Sequence, residues 1–239
     1  MRVPALQSDI LRFIVENGYQ PGDSLPTIQE ISQALGVSVA KTRESLEIAR
    51  ALGVVDIKPG RGTRVENFAF GPVVTLSALY AIGQDGANFA RLREVRNALE
   101  IQFWEDATGL LLPEDIAHLR GLLTTADHLL ERQPVQVPAQ EHRAFHITIF
   151  SRLDNPFVQG MLESFWAAYE AFGLNLYQDL SYHRTVWEYH ARIADAIEAG
   201  DVDRGRQLMV EHMNLLQNRQ PLAGQVPDPA RDSRLNAFE

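Results

Sequence analysis

Apolar residues recur at helical spacing from the start of the chain. Leu6, Ile10, Phe13 and Ile14 share one face of a helix expected over 5–17. Gly18, Pro21 and Gly22 in "NGYQPGD" then break the chain. Thr27 and Glu30 have capping-box spacing and open a second helix, with Ile31 and Leu35 facing inward and Gly36 ending it. Ser38 caps a third helix that runs to about Ala51 with Thr42, Ser45 and Leu46 inside it. "VVDIKPGRGTRVEN" reads as two short strands around the turn Pro59-Gly60-Arg61-Gly62. Helix, helix, tight turn, helix and hairpin together predict a winged helix-turn-helix over residues 1–67.

Residues 68–86 read as a linker, in which Leu76, Leu79 and Tyr80 suggest a short helix. After Gly86 the pattern is helical almost throughout, near 87–108, 113–131, 138–152, 155–179, 181–199 and 201–218. The breaks fall at Gly109/Pro113, Pro134–Pro138, Asp154-Asn155-Pro156 and Gly200-Asp201. Sustained strand alternation is missing, so 87–219 is expected to be an antiparallel helical bundle. The fold class is therefore mainly α. The Pro-rich, polar stretch 220–239 is expected to be a flexible tail.

Charge sharpens this division. The net charge of −9 looks wrong for a partner of phosphates. Yet residues 1–67 hold eight basic and eight acidic side chains, so the whole excess belongs to the second part. Five of those eight basic residues lie between positions 41 and 61. Local distribution matters more than the total when the partner is a phosphate backbone. The second helix of a helix-turn-helix offers its early side chains to the major groove, here Lys41 and Arg43. The hairpin adds Lys58, Arg61 and Arg64 around a tip where Gly62 permits close approach. The alternative, solvated charges on a small helical domain, explains the helix alone but not helix and wing together.

With no cysteine, disulfides and thiolate metal sites are excluded. No apolar run approaches the roughly 20 residues that span a bilayer. Asp9 and Glu16 interrupt the N-terminal apolar pattern and make it a poor secretion signal. The expectation is a cytoplasmic protein without membrane partners.

The histidines carry the chemistry of the second part. His142 and His146 are four apart and share a face that continues through Ile149 and Leu153. His190 lies on a stripe with Val186, Ile193 and Ile197, and His212 on one with Leu208 and Leu215. Four histidines thus come from three helices, each on the inward side, and neutral imidazole is a common ligand of zinc, nickel and related ions. Each ring taken alone could instead be a hydrogen-bonded core residue. His118, His128 and His183 fall outside this arrangement and read as surface or packing residues. Arg96 lies on a stripe with Leu92, Leu99 and Phe103, where a guanidinium needs an anion. Glu100, one turn on, is the internal candidate.

"PGDSLPTIQEISQALGVSVAKTRESLEIARALGVVDIKPGRGTRV" resembles the DNA-binding domain of the GntR family of bacterial transcription regulators. The shared pattern stands here as Pro21-Gly22, Leu25-Pro26, Gly36-Val37-Ser38, Arg43-Glu44, Leu46 and Gly60-Arg61-Gly62-Thr63-Arg64-Val65. The resemblance implies contacts to operator DNA from Thr27, Gln29, Ser38, Lys41, Arg43, Lys58, Arg61, Gly62 and Arg64. It departs at Gln29 and Val39, where many members carry arginine. An arginine–guanine contact carries about 1–3 kcal/mol of discrimination, so the preferred operator should differ. "LREVRNALE", "HRAFH" and "YHARIADAIEAGDVDRGRQLMVEHM" are similar to the FCD ligand-sensing domain of the FadR subfamily. That resemblance implies an all-helical bundle, a divalent metal held by His146, His190 and His212, and Arg96 helping to bind a small carboxylate. His142 stands where many members have aspartate. Neutral nitrogen in place of an anionic oxygen favours zinc, nickel or copper over manganese.

The expected protein is a homodimeric, metal-containing repressor that responds to a small organic acid. A metal-dependent hydrolase is the alternative from another class. Arg143 stands where the zinc-hydrolase helix motif His-Glu-x-x-His has glutamate, which argues against it. A sensor of the metal itself and an acyl-CoA-responsive regulator are further alternatives; a metal-filled cavity leaves little room for a long acyl chain.

Overall fold

A computed structural model of the chain describes residues 6–172 and 180–217. The expected tail at 220–239, and the end of the helix expected to reach 179, lie outside the described residues. The described residues form two compact units, one of 6–80 with 153–172 and one of 81–152 with 180–217.

The first unit begins with α1 (Asp9–Glu16), α2 (Ile28–Leu35) and α3 (Val39–Ala51). Strands β1 (Val55–Lys58) and β2 (Gly62–Val65) follow, paired antiparallel with Val55 opposite Val65 and Lys58 opposite Gly62. Local chemistry sets the boundaries. Thr27 accepts a hydrogen bond from the Glu30 amide while the Glu30 carboxylate accepts from the Thr27 amide, a complete capping box. Gly36 ends α2 in the left-handed conformation at φ 66°, and the Ser38 hydroxyl caps α3 by accepting from the Lys41 amide at 3.2 Å. Ile10, Ile14, Leu25, Ile31, Leu46, Ala49, Val55 and Val65 close one core between these elements. Backbone bonds from the Gly22 and Leu25 amides to the Val65 and Thr63 carbonyls, and from the Val65 amide to Asp23, tie the loop before α2 to β2.

The expected short helix near Leu76–Tyr80 is a 14-residue helix, α4 (Gly71–Gln84). Pro72 is tolerated in its first turn, where the missing amide would have no partner. The Ser77 hydroxyl folds back on the Val73 carbonyl, and the Thr75 hydroxyl donates to Ser164 on α9 (Pro156–Ala171). Gly160 makes that packing possible. A Cβ there would lie 2.5 Å from the Gly71 nitrogen and 2.8 Å from the Phe70 carbonyl carbon.

The second unit is the helical bundle: α5 (Ala87–Gln102), α6 (Trp104–Gly109), α7 (Pro113–Glu131), α8 (Ala139–Phe150), α10 (Leu180–Glu198) and α11 (Val202–Gln217). The one helix expected over 87–108 is two, because the chain leaves helical geometry at Phe103, φ −96° and ψ 11°. This break accompanies the burial of Trp104, whose indole N–H donates to the Val202 carbonyl at 2.9 Å. Gly205 lies against the same indole, and a Cβ there would fall 2.7 Å from its Cζ2. α10 packs on α7 and α11, α7 on α8, and α11 on α5 and α6. Arg120 on α7 pairs with Asp195 and Glu198 on α10.

Because backbone atoms cannot retreat as a side-chain tip can, Gly160→Ala is expected to destabilise the chain by about 1–3 kcal/mol. A lowered urea midpoint in a denaturation series is the measurement.

Candidate functional site

Two sets of side chains stand out, one in each unit. In the first, Lys41 and Arg43 lie exposed on the opening turns of α3, with Lys41 Nζ 3.5 Å from Glu44. Thr27, Gln29 and Ser38 are exposed at the starts of α2 and α3, although the Thr27 and Ser38 hydroxyls are engaged as helix caps. Lys58 is exposed and paired with Asp56 at 2.6 Å, and Arg61 is exposed at the wing tip. The tip turns through Gly60 and Gly62 at φ 76° and 74°, a conformation that costs glycine nothing. Arg64 leaves β2 and donates to the Gly22 carbonyl at 3.2 Å. The candidate DNA-contacting residues thus share one small folded unit, most of them with charged ends exposed.

In the bundle, α8, α10 and α11 bring His142, His146, His190 and His212 together. One nitrogen from each ring can be chosen so that all four lie within 4.8 Å of one another. All four rings are buried, His190 completely. Around them, His190 stacks on Phe145 at 4.4 Å and lies edge-on to Trp187 at 4.7 Å. Nitrogen ligands at ~2.0–2.1 Å from a tetrahedral ion stand about 3.3 Å apart. His146 Nε2 and His212 Nε2 already stand 3.2 Å apart.

The unsatisfied atoms point the same way. Among the described residues, neither ring nitrogen of His190 has a hydrogen-bond partner, nor does His212 Nδ1. Leaving buried polar atoms unpaired costs about 1–3 kcal/mol each. The bare nitrogens of His190 suit a cation, and with its three neighbouring imidazoles the donor set fits a nitrogen-preferring divalent ion such as zinc or nickel. Burial, first of all, pushes each imidazole well below its ordinary value of 6.5. The neighbouring rings or Arg96 add to the shift in every case. The rings are neutral, the form that ligates metals.

Arg96 reaches this cluster from α5 and is 2% exposed. Its Nε donates to Glu100 Oε1 at 2.8 Å and its Nη1 to Asn97 Oδ1 at 3.1 Å, while Nη2 lies 3.1 Å from His146 Nδ1. The internal partner suggested by the sequence, Glu100, is therefore in place, and its other oxygen lies 3.1 Å from His146 Nδ1. Sequence reasoning treated Glu100 only as the counterion of Arg96. The i, i+4 spacing gave that pair but not the link to α8. Asn97 went unnoticed because neighbours one apart on a helix do not ordinarily face each other. Of the remaining histidines, His118 and His128 are exposed and His183 is buried on α10, close enough to act electrostatically on His142.

The sign of the pH dependence follows. Each cluster imidazole is neutral when folded but takes up a proton below about 6.5 when unfolded, so its contribution to stability is lost as pH falls. Burial raises the Glu100 carboxyl, which acts in the opposite sense as pH rises above 4.5, as one group against four. Chelator-stripped protein is expected to melt at lower temperature at about pH 5.5 than at about pH 7.5, and His190→Phe to flatten that slope.

Both units resemble known proteins. Residues 91–215 match the FCD domain, and residues 5–65 match the bacterial regulatory proteins of the gntR family. The chain is 23% identical to the HTH-type transcriptional regulator LutR of Bacillus subtilis over 207 residues, 84% of this chain and 93% of that protein. It is 26% identical to the Uxu operon regulator of Haemophilus influenzae over 223 residues, 91% of this chain and 81% of that protein. A solved Streptococcus agalactiae GntR structure superposes with a TM-score of 0.64 at 18% identity, covering 88% of this chain and 97% of that one. It shares the fold. The chain belongs to the GntR family of bacterial regulatory proteins and carries an FCD domain.

Proposed function

We propose that this transcriptional regulator acts as a cytoplasmic homodimer whose hold on operator DNA is set by a small organic acid bound at a metal centre in the bundle. The observation that carries the reading is His190, wholly buried with both nitrogens unpartnered inside a cluster of three further imidazoles. His142, His146, His190 and His212 would hold a divalent ion, zinc or nickel by the chemistry of four neutral nitrogens. When bound, that ion supplies a Lewis-acidic position for a carboxylate oxygen. Arg96, beside His146, offers a planar fork suited to the same carboxylate.

In the head, Lys41 and Arg43 lead α3 into the major groove, with Thr27, Gln29 and Ser38 at the mouths of α2 and α3. Lys58, Arg61 and Arg64 flank the wing, and Gly62 lets its backbone approach a phosphate. A two-fold symmetric dimer would read two half-sites, and effector binding need bias their spacing by only about 1–3 kcal/mol. Release of repression by the effector is the sign proposed here. Arg143 in place of a general-base glutamate, and relatives named as regulators, weigh against a hydrolase.

Metal analysis tests the centre. Purified protein is expected to carry about one divalent ion per chain, and His146→Ala to lose it; retention would move the site elsewhere. In a thermal-shift screen of metal-loaded protein against mono- and dicarboxylates, a binder raises the melting temperature by mass action, and Arg96→Ala abolishes the response. For the head, duplexes selected by the protein from a random pool supply the operator. Arg61→Ala should then shallow the dependence of log affinity on log salt by about 1, and Arg43→Ala should cost about 1–3 kcal/mol of base discrimination.

A further inference from the structure

Glu100 is an expensive residue in its position. It is completely buried, and a carboxylate taken out of water must recover several kcal/mol from its partners. Arg96 alone would satisfy one oxygen, as Oε1 accepts from its Nε at 2.8 Å. The second oxygen is spent on His146, Oε2 standing 3.1 Å from Nδ1.

That contact decides which nitrogen of His146 holds the proton. Arg96 Nη2 also lies 3.1 Å from Nδ1, but it lies 3.3 Å from Nε2 as well. An atom almost equidistant from both ring nitrogens and lying in the ring plane would collide with Cε1. Nη2 is therefore over the ring face, out of line with either lone pair, and leaves the in-plane direction of Nδ1 to Glu100. With the Arg96 guanidinium held on Oε1, Glu100 is a carboxylate and only accepts, so His146 carries its proton on Nδ1 and donates to Oε2. Nε2 is left with its lone pair, 3.2 Å from His212 Nε2 and directed among the cluster imidazoles.

We infer that Glu100 is the positioning residue of the centre: by accepting a hydrogen bond from His146 Nδ1–H it fixes the tautomer and ring angle that leave the Nε2 lone pair available to a metal, and through its other oxygen it ties that ligand to Arg96. The inference rests on the metal reading above. It extends that reading to a group that does not touch the ion, and it makes one carboxylate the shared anchor of the metal ligand and the anion-binding guanidinium. Partners of this kind typically change metal affinity tenfold to a hundredfold.

Glu100→Gln separates this role from that of a simple counterion. The amide has one oxygen. If that oxygen serves Arg96, the NH2 faces His146 Nδ1 and drives the proton to Nε2, which could then no longer ligate a metal. If the amide flips, the NH2 opposes the guanidinium. Folded Glu100→Gln protein, checked by circular dichroism, is expected to bind zinc about 10–100-fold more weakly in competition with a chromophoric chelator. Its cobalt-substituted form should show an altered visible spectrum. Wild-type zinc affinity and an unchanged cobalt spectrum in Glu100→Gln would overturn the role of Glu100 and leave the metal site standing. Full metal content in His146→Ala would instead overturn the site itself. A measurement free of any folding risk uses the chelator-stripped wild type: long-range proton–nitrogen correlation NMR of the histidine rings. It is expected to show His146 protonated at Nδ1, and protonation at Nε2 refutes the inference.

Discussion

The bundle depends on keeping imidazole uncharged where a charged ring could not be accommodated. Four buried rings stand so close that protonating one would set it against Arg96 and its neighbours in a medium of low polarity. Neutrality leaves lone pairs converging on one small volume, and among the described residues no hydrogen-bond donor meets either nitrogen of His190. Phe145 and Trp187 wall this volume against His190, and the buried Arg96 beside it finds its counterion in Glu100.

Much of this was legible in the residues. The His-x3-His spacing, continued by Ile149 and Leu153, pointed inward, and those two side chains are buried as that stripe requires. The caps at Thr27 and Ser38 and the left-handed Gly36 were equally readable, because each is a local hydrogen bond or a local backbone preference. What escaped was non-local. The length of α4 depends on Thr75 meeting Ser164 and on Gly160 accepting the Gly71 backbone, contacts across about ninety residues of chain. The joint between α5 and α6 has no glycine or proline to announce it. Its signal, had it been read, was a tryptophan placed directly after an otherwise regular helical stripe.

Glu100 shows the same limit at the site. A sequence shows which residues share a turn of helix, so Arg96 and Glu100 could be paired from spacing alone. It does not show which helix the second carboxylate oxygen faces. That depends on α5 and α8 lying side by side at one register, and register between helices is set by packing over the whole bundle. Functional geometry built on second contacts of already paired groups is therefore the last thing a sequence discloses.

In the head, the backbone bonds between the Gly22–Leu25 loop and β2, with Arg64 closing onto Gly22, weld the wing to the segment that introduces α2. Wing and α3 also share the core closed by Leu25, Ile31, Leu46, Val55 and Val65. A module so joined is a fixed caliper, its two jaws set at one spacing by the fold.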